Sequence, residues 1–279
     1  MPEPPYQRIA VASTFSPRFE QVLAEAKRVR DRLGRELNLI YVGEKNEETV
    51  SRFAQALAAM ELPADSLIHY HQGSPADAIL EAVRANAVEL LVAGALEREV
   101  VLRPFLGNVA RRLVREAPCS LMLFTKPERE PKPLRRMVFF VPEYSEHAQR
   151  AVQCTMQLAV KEQCEMLYVI RVYTTFDAAR ATLRANPAIE EAADEPVART
   201  LDEEEDALEE FIAAAGGSEV PLEARCIRGN TGFALSDFVQ AVEAHLLIVP
   251  VETAAGSGEL PADIAWVTDV IPCNLWIIR

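Results

Sequence analysis

The 279-residue sequence lacks a long apolar run and contains few cysteines. No segment approaches the ~20 apolar residues that a membrane-spanning helix needs. The first residues also lack the basic start and apolar stretch of a secretory signal. The five cysteines are odd in number and scattered, so we expect reduced thiols rather than disulfides. These absences predict a cytoplasmic protein with no membrane contact.

Basic residues are too few and too unevenly placed for a protein that binds nucleic acid. The sequence holds 29 Lys and Arg against 42 Asp and Glu, which gives a net charge of −13. Residues 1–130 carry a net charge of −1, whereas residues 131–279 carry −12. Binding to a phosphate backbone or to anionic lipids relies on Lys and Arg. The composition therefore argues against nonspecific binding to nucleic acid or to a membrane surface.

A long internal repeat is the strongest positive feature of the sequence. Residues 82–94 and 117–124 in the first half resemble residues 241–250 and 271–278 in the second half. Each half therefore ends with a helix, a buried strand, a connection, a Pro-Cys turn and a last strand. Apolar residues make up 49% of the chain, which is enough to build two cores. A repeat of this length indicates a domain duplication.

Alternating strand and helix patterns predict an α/β fold with two doubly wound five-stranded parallel-sheet domains. We place the domains at residues 1–126 and 137–279, joined by a proline-rich charged linker. An acidic insertion, residues 174–217, interrupts the second domain with 12 acids and 3 bases. We interpret it as a solvated helix face and an exposed excursion, in preference to a protein-binding or metal-binding site. Its role stays open.

Several residues predict where helices begin and end. Ser16, Ser74, Ser145 and Thr200 are expected to be helix N-caps because each precedes an apolar pattern of helical spacing, and Ser74 with Asp77 predicts a capping box. Gly34 occupies the position of a C-terminal glycine after the first helix. The last strand of each half is strongly apolar.

The loop after the fourth strand contains the residues best suited to bind a phosphate. In doubly wound sheets, ligands bind at the carboxyl ends of the strands, where the strand order reverses. Gly94 ends the fourth predicted strand, and Gly107 with Asn108 opens the next helix. Glycines allow backbone amides to approach a phosphate, and a helix N-terminus adds a positive dipole and unpaired N–H groups.

At these residues the chain resembles the universal stress protein family. Members of that family hold the phosphates of ATP with a loop of the form G-x2-G-x9-G-[S/T], and Gly94, Gly107 and Asn108 fall on its positions. The resemblance covers both halves and implies a tandem protein with an adenine nucleotide alpha hydrolase-like fold, packed as an intramolecular pseudo-dimer. As in dimers of the family, the two apolar last strands are then expected to pair with each other. The resemblance also places Thr14 at the position that meets the nucleotide at the end of the first strand, and the backbone of Val42 beside the adenine.

The sequence departs from the family motif at three positions. Glu97 replaces a glycine, Asn108 replaces Ser or Thr, and Thr14 replaces an aspartate. The Glu97 carboxylate would approach the phosphates, and juxtaposed like charges can cost several kcal/mol. Arg98 and Arg103 could offset that charge, although solvated loop cations are the favoured interpretation. The second half departs further, because no loop of matching spacing follows its fourth strand.

Two functions follow from this pattern. The leading hypothesis is a non-enzymatic cytoplasmic stress-response protein that binds ATP weakly through Thr14, Val42, Gly94, Gly107 and Asn108, with no metal. The alternative is a nucleotide-independent protein-interaction or regulatory module. We identify no catalytic residue and no metal ligand. The expected partners are an adenine nucleotide or another protein, and the pseudo-dimer could self-associate further.

Overall fold

The computed structural model of the protein describes residues 3–13, 15–95, 106–184, 198–252, 260, 264–268 and 272–279. Within these residues, no helix is long and apolar enough to cross a membrane.

The first half alternates strands and helices, as the sequence pattern predicts. Its elements are β1 (Tyr6–Ser13), α1 (Phe19–Leu33), β2 (Gly34–Val42), α2 (Glu47–Ala59), β3 (Ile68–His71), α3 (Pro75–Ala85), β4 (Leu90–Gly94), α4 (Asn108–Glu116) and β5 (Ser120–Phe124). Residues 125–135, which follow β5, contain no helix or strand. The domain limits at 126 and 137 remain predictions that agree with this placement.

The second half repeats the order with one additional helical region. Its elements are β6 (Arg136–Phe140), α5 (Glu146–Lys161), β7 (Met166–Tyr173), α6 (Thr175–Arg184), α7 (Leu201–Ala215), β8 (Leu222–Arg228), α8 (Thr231–Ala241), β9 (Leu246–Pro250), a 3-10 turn (Ala265–Thr268) and β10 (Asn274–Ile278). Helices α6 and α7 lie within the predicted acidic insertion, and the residues of the insertion between 185 and 197 lie outside the described part of the chain.

All ten strands join in one sheet whose two halves have the same strand order. The order is β3-β2-β1-β4-β5-β10-β9-β6-β7-β8. Pairing is parallel within each half, whereas β5 and β10 are antiparallel, with Trp276 opposite Met122. The predicted pairing of the two last strands is therefore confirmed, and it joins two doubly wound five-stranded sheets edge to edge. The strand order reverses between β1 and β4 in the first half, and between β6 and β9 in the second.

Helices cover both faces of the sheet. Helices α1, α2, α5 and α7 contribute to one apolar core. Helices α3, α4 and α8 contribute to the other. Trp276 of β10 is fully buried in the first core, with its ring 6.4 Å from the ring of Tyr6. Strands covered on both faces read as continuous apolar runs, which is why β4, β5, β9 and β10 are easily recognised in the sequence.

Two of the four predicted N-caps, Ser145 and Thr200, are confirmed by side-chain hydrogen bonds. The Ser145 side chain accepts a hydrogen bond from the Ala148 amide at 3.2 Å, and Thr200 forms a capping box with Glu203. Ser74 is the N-cap residue of α3, but its side chain makes no capping hydrogen bond. The prediction for Ser16 is wrong, because α1 begins at Phe19 after Arg18, which makes no capping contact through its side chain.

Gly34 is a glycine for a different reason than the sequence predicts. Its backbone is extended, at φ −137° and ψ 178°, and it begins β2 directly after α1. A Cβ atom at this position would overlap the side chain of Ile9 on the neighbouring strand. Close packing, rather than a left-handed turn, therefore accounts for this glycine.

Candidate functional site

A crevice opens at the carboxyl ends of β1 and β4, where the strand order of the first half reverses. Its volume is about 680 Å³, which lies in the range of small-molecule sites. The described lining residues come from the ends of β1, β4 and β5 and from α1, α3 and α4: Val11, Ala12, Ser16, Pro17, Arg18, Phe19, Val22, Pro75, Ile79, Ala93, Gly94, Ala95, Gly107, Val109, Ala110, Leu113, Phe124 and Pro127.

Backbone hydrogen bonds hold Ala95 and Gly107 together at the edge of the crevice. The Ala95 amide donates to the Phe124 carbonyl at 3.0 Å, and the Ala95 carbonyl accepts from the Gly107 amide at 3.1 Å. A Cβ atom at Gly94 would lie 3.3 Å from a methyl group of Val22 on α1, which is a tight contact. Glycine at position 94 therefore lets the end of β4 pass close to α1.

Apolar side chains form most of the wall. Among the described lining residues, Arg18 is the one charged side chain. Helix α4 begins beside the crevice, and the amides of a helix's first turn have no partner within the helix. Such a site suits a ligand with a flat apolar body and an anionic group near the helix N-terminus.

An exposed ion cluster ties together the two helices that form one side of the crevice. Arg112 of α4 contacts Asp77 of α3 at 2.8 Å and Glu116 at 2.9 Å. The hydrogen bond from Arg112 lowers the pKa of Asp77 below its ordinary value. The cluster joins α3 to α4, which contribute Ile79 and Leu113 to the wall.

The structure brings together two of the five predicted site residues. Gly94 and Gly107 both line the crevice, but the Gly107 amide is already bonded to Ala95. Asn108 is the exposed first residue of α4 and is not among the described lining residues. Val42 is half-buried, packs on the core formed by α3, α4 and α8, and likewise does not line the crevice.

Thr14 lies outside the described residues. The same holds for Glu97, Arg98 and Arg103, on which the sequence argument about the phosphate loop depends.

The apolar wall is the part of the site that the sequence reasoning missed. Val11, Phe19, Val22, Ile79 and Leu113 line the crevice although the sequence pattern presents them as core residues. The sequence did contain a signal for Phe19 and Val22, namely their position in the helix that directly follows the first strand. Ligands bind where the strand order reverses, and this rule applies to the segment after the first strand as well as to the loop after the fourth.

The corresponding crevice in the second half is much smaller. A cavity of about 110 Å³ lies between the ends of β6 and β9, and its lining includes the side chains of Glu143, His147 and Glu252. This volume lies below the range of about 300–1,000 Å³ that is usual for small-molecule sites. Its two carboxylates would also oppose a phosphate.

An ion cluster occupies the adjoining edge of the second half. The Arg171 guanidinium donates to the Glu204 carboxylate at 2.6 Å and to the carbonyls of Val141 and Pro142 at the end of β6. Arg171 occupies the position on β7 that Tyr41 occupies on β2. The strand register shows this correspondence: Leu167 pairs with Met137, Leu37 pairs with Ile9, and Arg171 and Tyr41 each follow four residues later. The Tyr144 hydroxyl donates to the Glu204 carbonyl at 3.2 Å, and burial raises the pKa of Tyr144 above its ordinary value.

Thiol and metal chemistry have little support in the described residues. No group of three or more His, Cys, Asp or Glu side chains in that part of the chain could hold a metal ion. All five cysteines are unpaired. Burial raises the pKa of Cys119, Cys154, Cys226 and Cys273 to about 12, so these thiols are poor nucleophiles at neutral pH.

Structural comparison supports the fold along the whole chain. A functionally unknown protein from Pseudomonas aeruginosa PAO1 is 14% identical and superimposes with a TM-score of 0.71, covering 98% of this chain and 92% of its own. A universal stress protein from Archaeoglobus fulgidus DSM 4304 is 15% identical and superimposes with a TM-score of 0.65, covering 97% of this chain and 98% of its own. The cytoplasmic domain of a prokaryotic cation chloride cotransporter is 12% identical and superimposes with a TM-score of 0.52, covering 98% of this chain and 95% of its own.

Sequence comparison identifies a family for part of the chain. A stretch of 70 residues is 36% identical to a Thermus aquaticus protein named universal stress protein in QAH/OAS sulfhydrylase 3'region. That match covers 25% of this chain and 50% of the length of that relative. The sequence model of the universal stress protein family matches residues 5–125. Residues 5–125 therefore form a universal stress protein domain.

Proposed function

We propose that this chain is a tandem universal stress protein that takes part in a cytoplasmic stress response and binds an adenine nucleotide weakly in its first half. The observation that carries the proposal is the crevice of about 680 Å³ at the switch point between β1 and β4, bordered by Gly94 and Gly107. The repeated strand order supports the tandem arrangement, and the match at residues 5–125 supports the stress-response role.

One wall of the crevice suits the base of a nucleotide, and another suits its phosphates. Phe19, Val22 and Ile79 offer an apolar surface for the flat base. The N-terminus of α4 offers backbone amides and a positive dipole for the phosphates. The Gly107 amide is already bonded to Ala95, so the loop has at least one donor fewer for a phosphate. We therefore expect an affinity lower than that of a complete phosphate loop.

Calorimetric titration with millimolar ATP tests the proposal. We expect saturable heat from the full chain and its loss in Gly94→Leu, whose side chain would enter the mouth of the crevice. Gly217→Leu is the matched control, because a Cβ atom there meets no atom within 4 Å. Absence of saturable binding to the unaltered protein would rule out nucleotide recognition.

We also propose that the protein is not an enzyme. The described crevice residues offer no carboxylate that could hold a metal ion beside the phosphates, and no histidine that could act as a base. Incubation with ATP and magnesium should therefore release no phosphate above the buffer rate. Release that follows protein concentration and disappears in Gly94→Leu would overturn this part of the proposal.

A nucleotide-independent interaction module is the second candidate function. Two observations favour it: the engaged Gly107 amide, and the small cavity with two carboxylates in the second half. Under this hypothesis the crevices are remnants of the fold, and the surface of the second half carries the function. ATP titration separates the two candidates, because the second one predicts no saturable heat.

A further inference from the structure

A second groove, of about 420 Å³, lies between α1, the end of α2 and the segment that joins the two halves. Its volume falls within the range of about 300–1,000 Å³ that is usual for small-molecule sites. It shares no described lining residue with the crevice at β1 and β4. We call it the basic groove, and its charged lining residues are Lys27, Arg28, Asp31, Arg32, Glu61 and Arg129.

Cations outnumber acids in this lining, although the chain as a whole is acidic. Four of the six charged lining residues are Lys or Arg, whereas the chain has 29 bases against 42 acids. Helix α1 buries Leu23, Ala26 and Val29 in the core, which leaves Lys27 and Arg32 on its flank. The segment between the halves adds a cation from a second element. The basic groove therefore presents positive charge from two separate parts of the fold.

The carboxylates that balance Arg28 lie behind the lining of the groove. Arg28 contacts Glu25 and Glu162, which are both buried, and it donates to the Lys132 carbonyl at 2.7 Å. Neither carboxylate lines the groove. Arg28 is thus a fixed part of the wall, and a ligand in the groove would meet the cationic side of this cluster.

Arg32 retains hydrogen-bond donors beside that cluster. Its Nε lies 3.3 Å from the Glu162 carboxylate, and within the described chain its two terminal nitrogens have no hydrogen-bond partner. The side chain is 42% exposed. Lys161 of the second half donates to the Arg32 carbonyl and adds another positive charge nearby. Because Glu162 already holds the guanidinium, binding through the remaining donors costs less side-chain entropy.

Lys27 is also incompletely paired. Its Nζ lies 3.9 Å from the Glu61 carboxylate, which is beyond hydrogen-bond distance, and the Glu61 side chain is 89% exposed. Such an exposed pair is weak because water and salt screen it. The other acid of the lining, Asp31, is paired with Arg30 at 2.7 Å. The acids of the groove are therefore engaged or solvated, and Lys27 can exchange its weak partner for a ligand.

We propose that the basic groove binds a small multiply charged anion through Lys27, Arg32 and Arg129. Ammonium and guanidinium groups donate strong hydrogen bonds to phosphate and carboxylate oxygens, and Arg can do so with two parallel donors. Arg129 is 67% exposed and is paired with Glu20 at the surface. The end of α2 carries partial negative charge, so the anion should lie towards α1 and Arg129.

Calorimetric titration of the full chain with inorganic pyrophosphate, and separately with citrate, tests this inference. We expect saturable heat with at least one probe, and the tighter one shows whether phosphate or carboxylate oxygens are preferred. Lys27→Gln combined with Arg129→Gln should weaken binding about tenfold or more, because hydrogen bonds to charged groups are the stronger ones. Gly94→Leu, which alters the separate crevice, should bind the same probe as the unaltered protein does.

A matched control separates the groove from general attraction between charges. Arg135→Gln combined with Arg150→Gln also removes two exposed cations, each paired with one carboxylate, at positions outside the groove. This control should bind the probe normally.

Ala59→Trp tests the groove without changing any charge. Ala59 is an exposed lining residue at the end of α2, so the larger side chain would fill part of the groove. We expect it to weaken binding about tenfold. Unchanged thermal unfolding will show that each variant is folded.

Three results would overturn the inference. The first is absence of saturable binding of both probes to the unaltered protein. The second is an equal loss of binding in the Lys27 and Arg129 variant and in the Arg135 and Arg150 control, which would indicate unspecific charge attraction. The third is loss of binding in Gly94→Leu with normal binding in the Lys27 and Arg129 variant, since the anion would then occupy the crevice.

Discussion

Arg28 of α1 lies 3.2 Å from the carboxylate of Glu162 at the end of α5, and this ion pair joins the two halves of the protein. Glu162 also accepts hydrogen bonds from Arg32 at 3.3 Å and from the Leu134 amide at 3.1 Å. On its other side, Arg28 contacts Glu25 at 2.5 Å. One partly buried guanidinium therefore lies between two buried carboxylates at the boundary between the halves.

Removing the Glu162 charge should destabilise the protein. Breaking a buried ion pair costs about 3–5 kcal/mol. We expect Glu162→Gln to lower the free energy of unfolding by about 3 kcal/mol. This value is at the lower end of that range because Glu25 remains as a partner of Arg28. Urea denaturation measures this change. The exposed pair of Glu146 and Arg150 supplies the control, and Glu146→Gln should cost less than about 1 kcal/mol. Equal effects would contradict a special role for the buried pair.

Glu25 should make stability depend on pH between its unfolded and folded pKa values. Burial, the largest cause, raises its pKa from 4.5 to about 7, against the opposing effect of Arg28. The folded state therefore binds this proton more tightly than the unfolded state does. Its stabilising contribution is complete below about pH 4.5 and is lost as pH rises towards 7, by about 3 kcal/mol at most.

Glu25→Gln, which resembles the protonated acid, should remove this dependence. Urea denaturation at pH 5 and pH 8 measures the change, and the unaltered protein should lose more stability than the variant between the two conditions. Parallel pH profiles for the two proteins would show that the Glu25 carboxyl has an ordinary pKa when folded.

An aromatic cluster beside the end of β2 should dominate the stability of the first half. Phe53 is fully buried, and its ring lies 5.3 Å from that of Tyr41 and 5.6 Å from that of Phe19. We expect Phe53→Ala to lower the free energy of unfolding by about 3–5 kcal/mol. Phe233→Ala is the control, because Phe233 is 77% exposed and should contribute less than about 0.5 kcal/mol. A cost below about 1 kcal/mol at Phe53 would contradict the described packing.

Replacing Glu97 with glycine should strengthen ATP binding. This prediction depends on the spacing of the sequence, in which position 97 follows Gly94 as the second glycine of the family loop does. Removing one carboxylate near the phosphates should increase affinity about tenfold or more, since a like-charge contact costs several kcal/mol. Calorimetric titration of Glu97→Gly beside Glu99→Gly measures it, with the second variant as a charge-matched control. No gain in affinity would mean that the site has changed at other positions as well.

The sequence was most informative where a strand or cap has a strong local signature. The continuous apolar runs at residues 90–93 and 246–249 predict buried strands, and the structure has β4 and β9 there. Thr200 followed by Glu203 predicts a capping box, which the structure contains. Such features depend on neighbouring residues in the chain, so a single sequence reveals them. The prediction for Ser16 failed because α1 begins at Phe19, two residues too far along the chain for Ser16 to be its N-cap.

The candidate site was harder to predict because its parts come from separate elements. Gly94 and Gly107 could be recognised by their spacing, and both line the crevice. Val42 and Asn108 were assigned through the family resemblance, yet neither is among the described lining residues. The direction of a side chain at the end of a strand depends on the packing of neighbouring helices, which no short motif encodes. For the same reason, Val11 and Phe19 looked like ordinary core residues in the sequence.

The sequence by itself determined the α/β pattern, the repeated order of strands and helices and the glycines beside the crevice, and the family resemblance added the pairing of the last strands. Periodicity and internal similarity carry this information because each element must hide its own apolar face. Only the tertiary structure revealed the ion cluster of Glu25, Arg28 and Glu162, and the basic groove beside it. Buried charges and grooves are defined by what packs against them, and those neighbours lie far away in the chain.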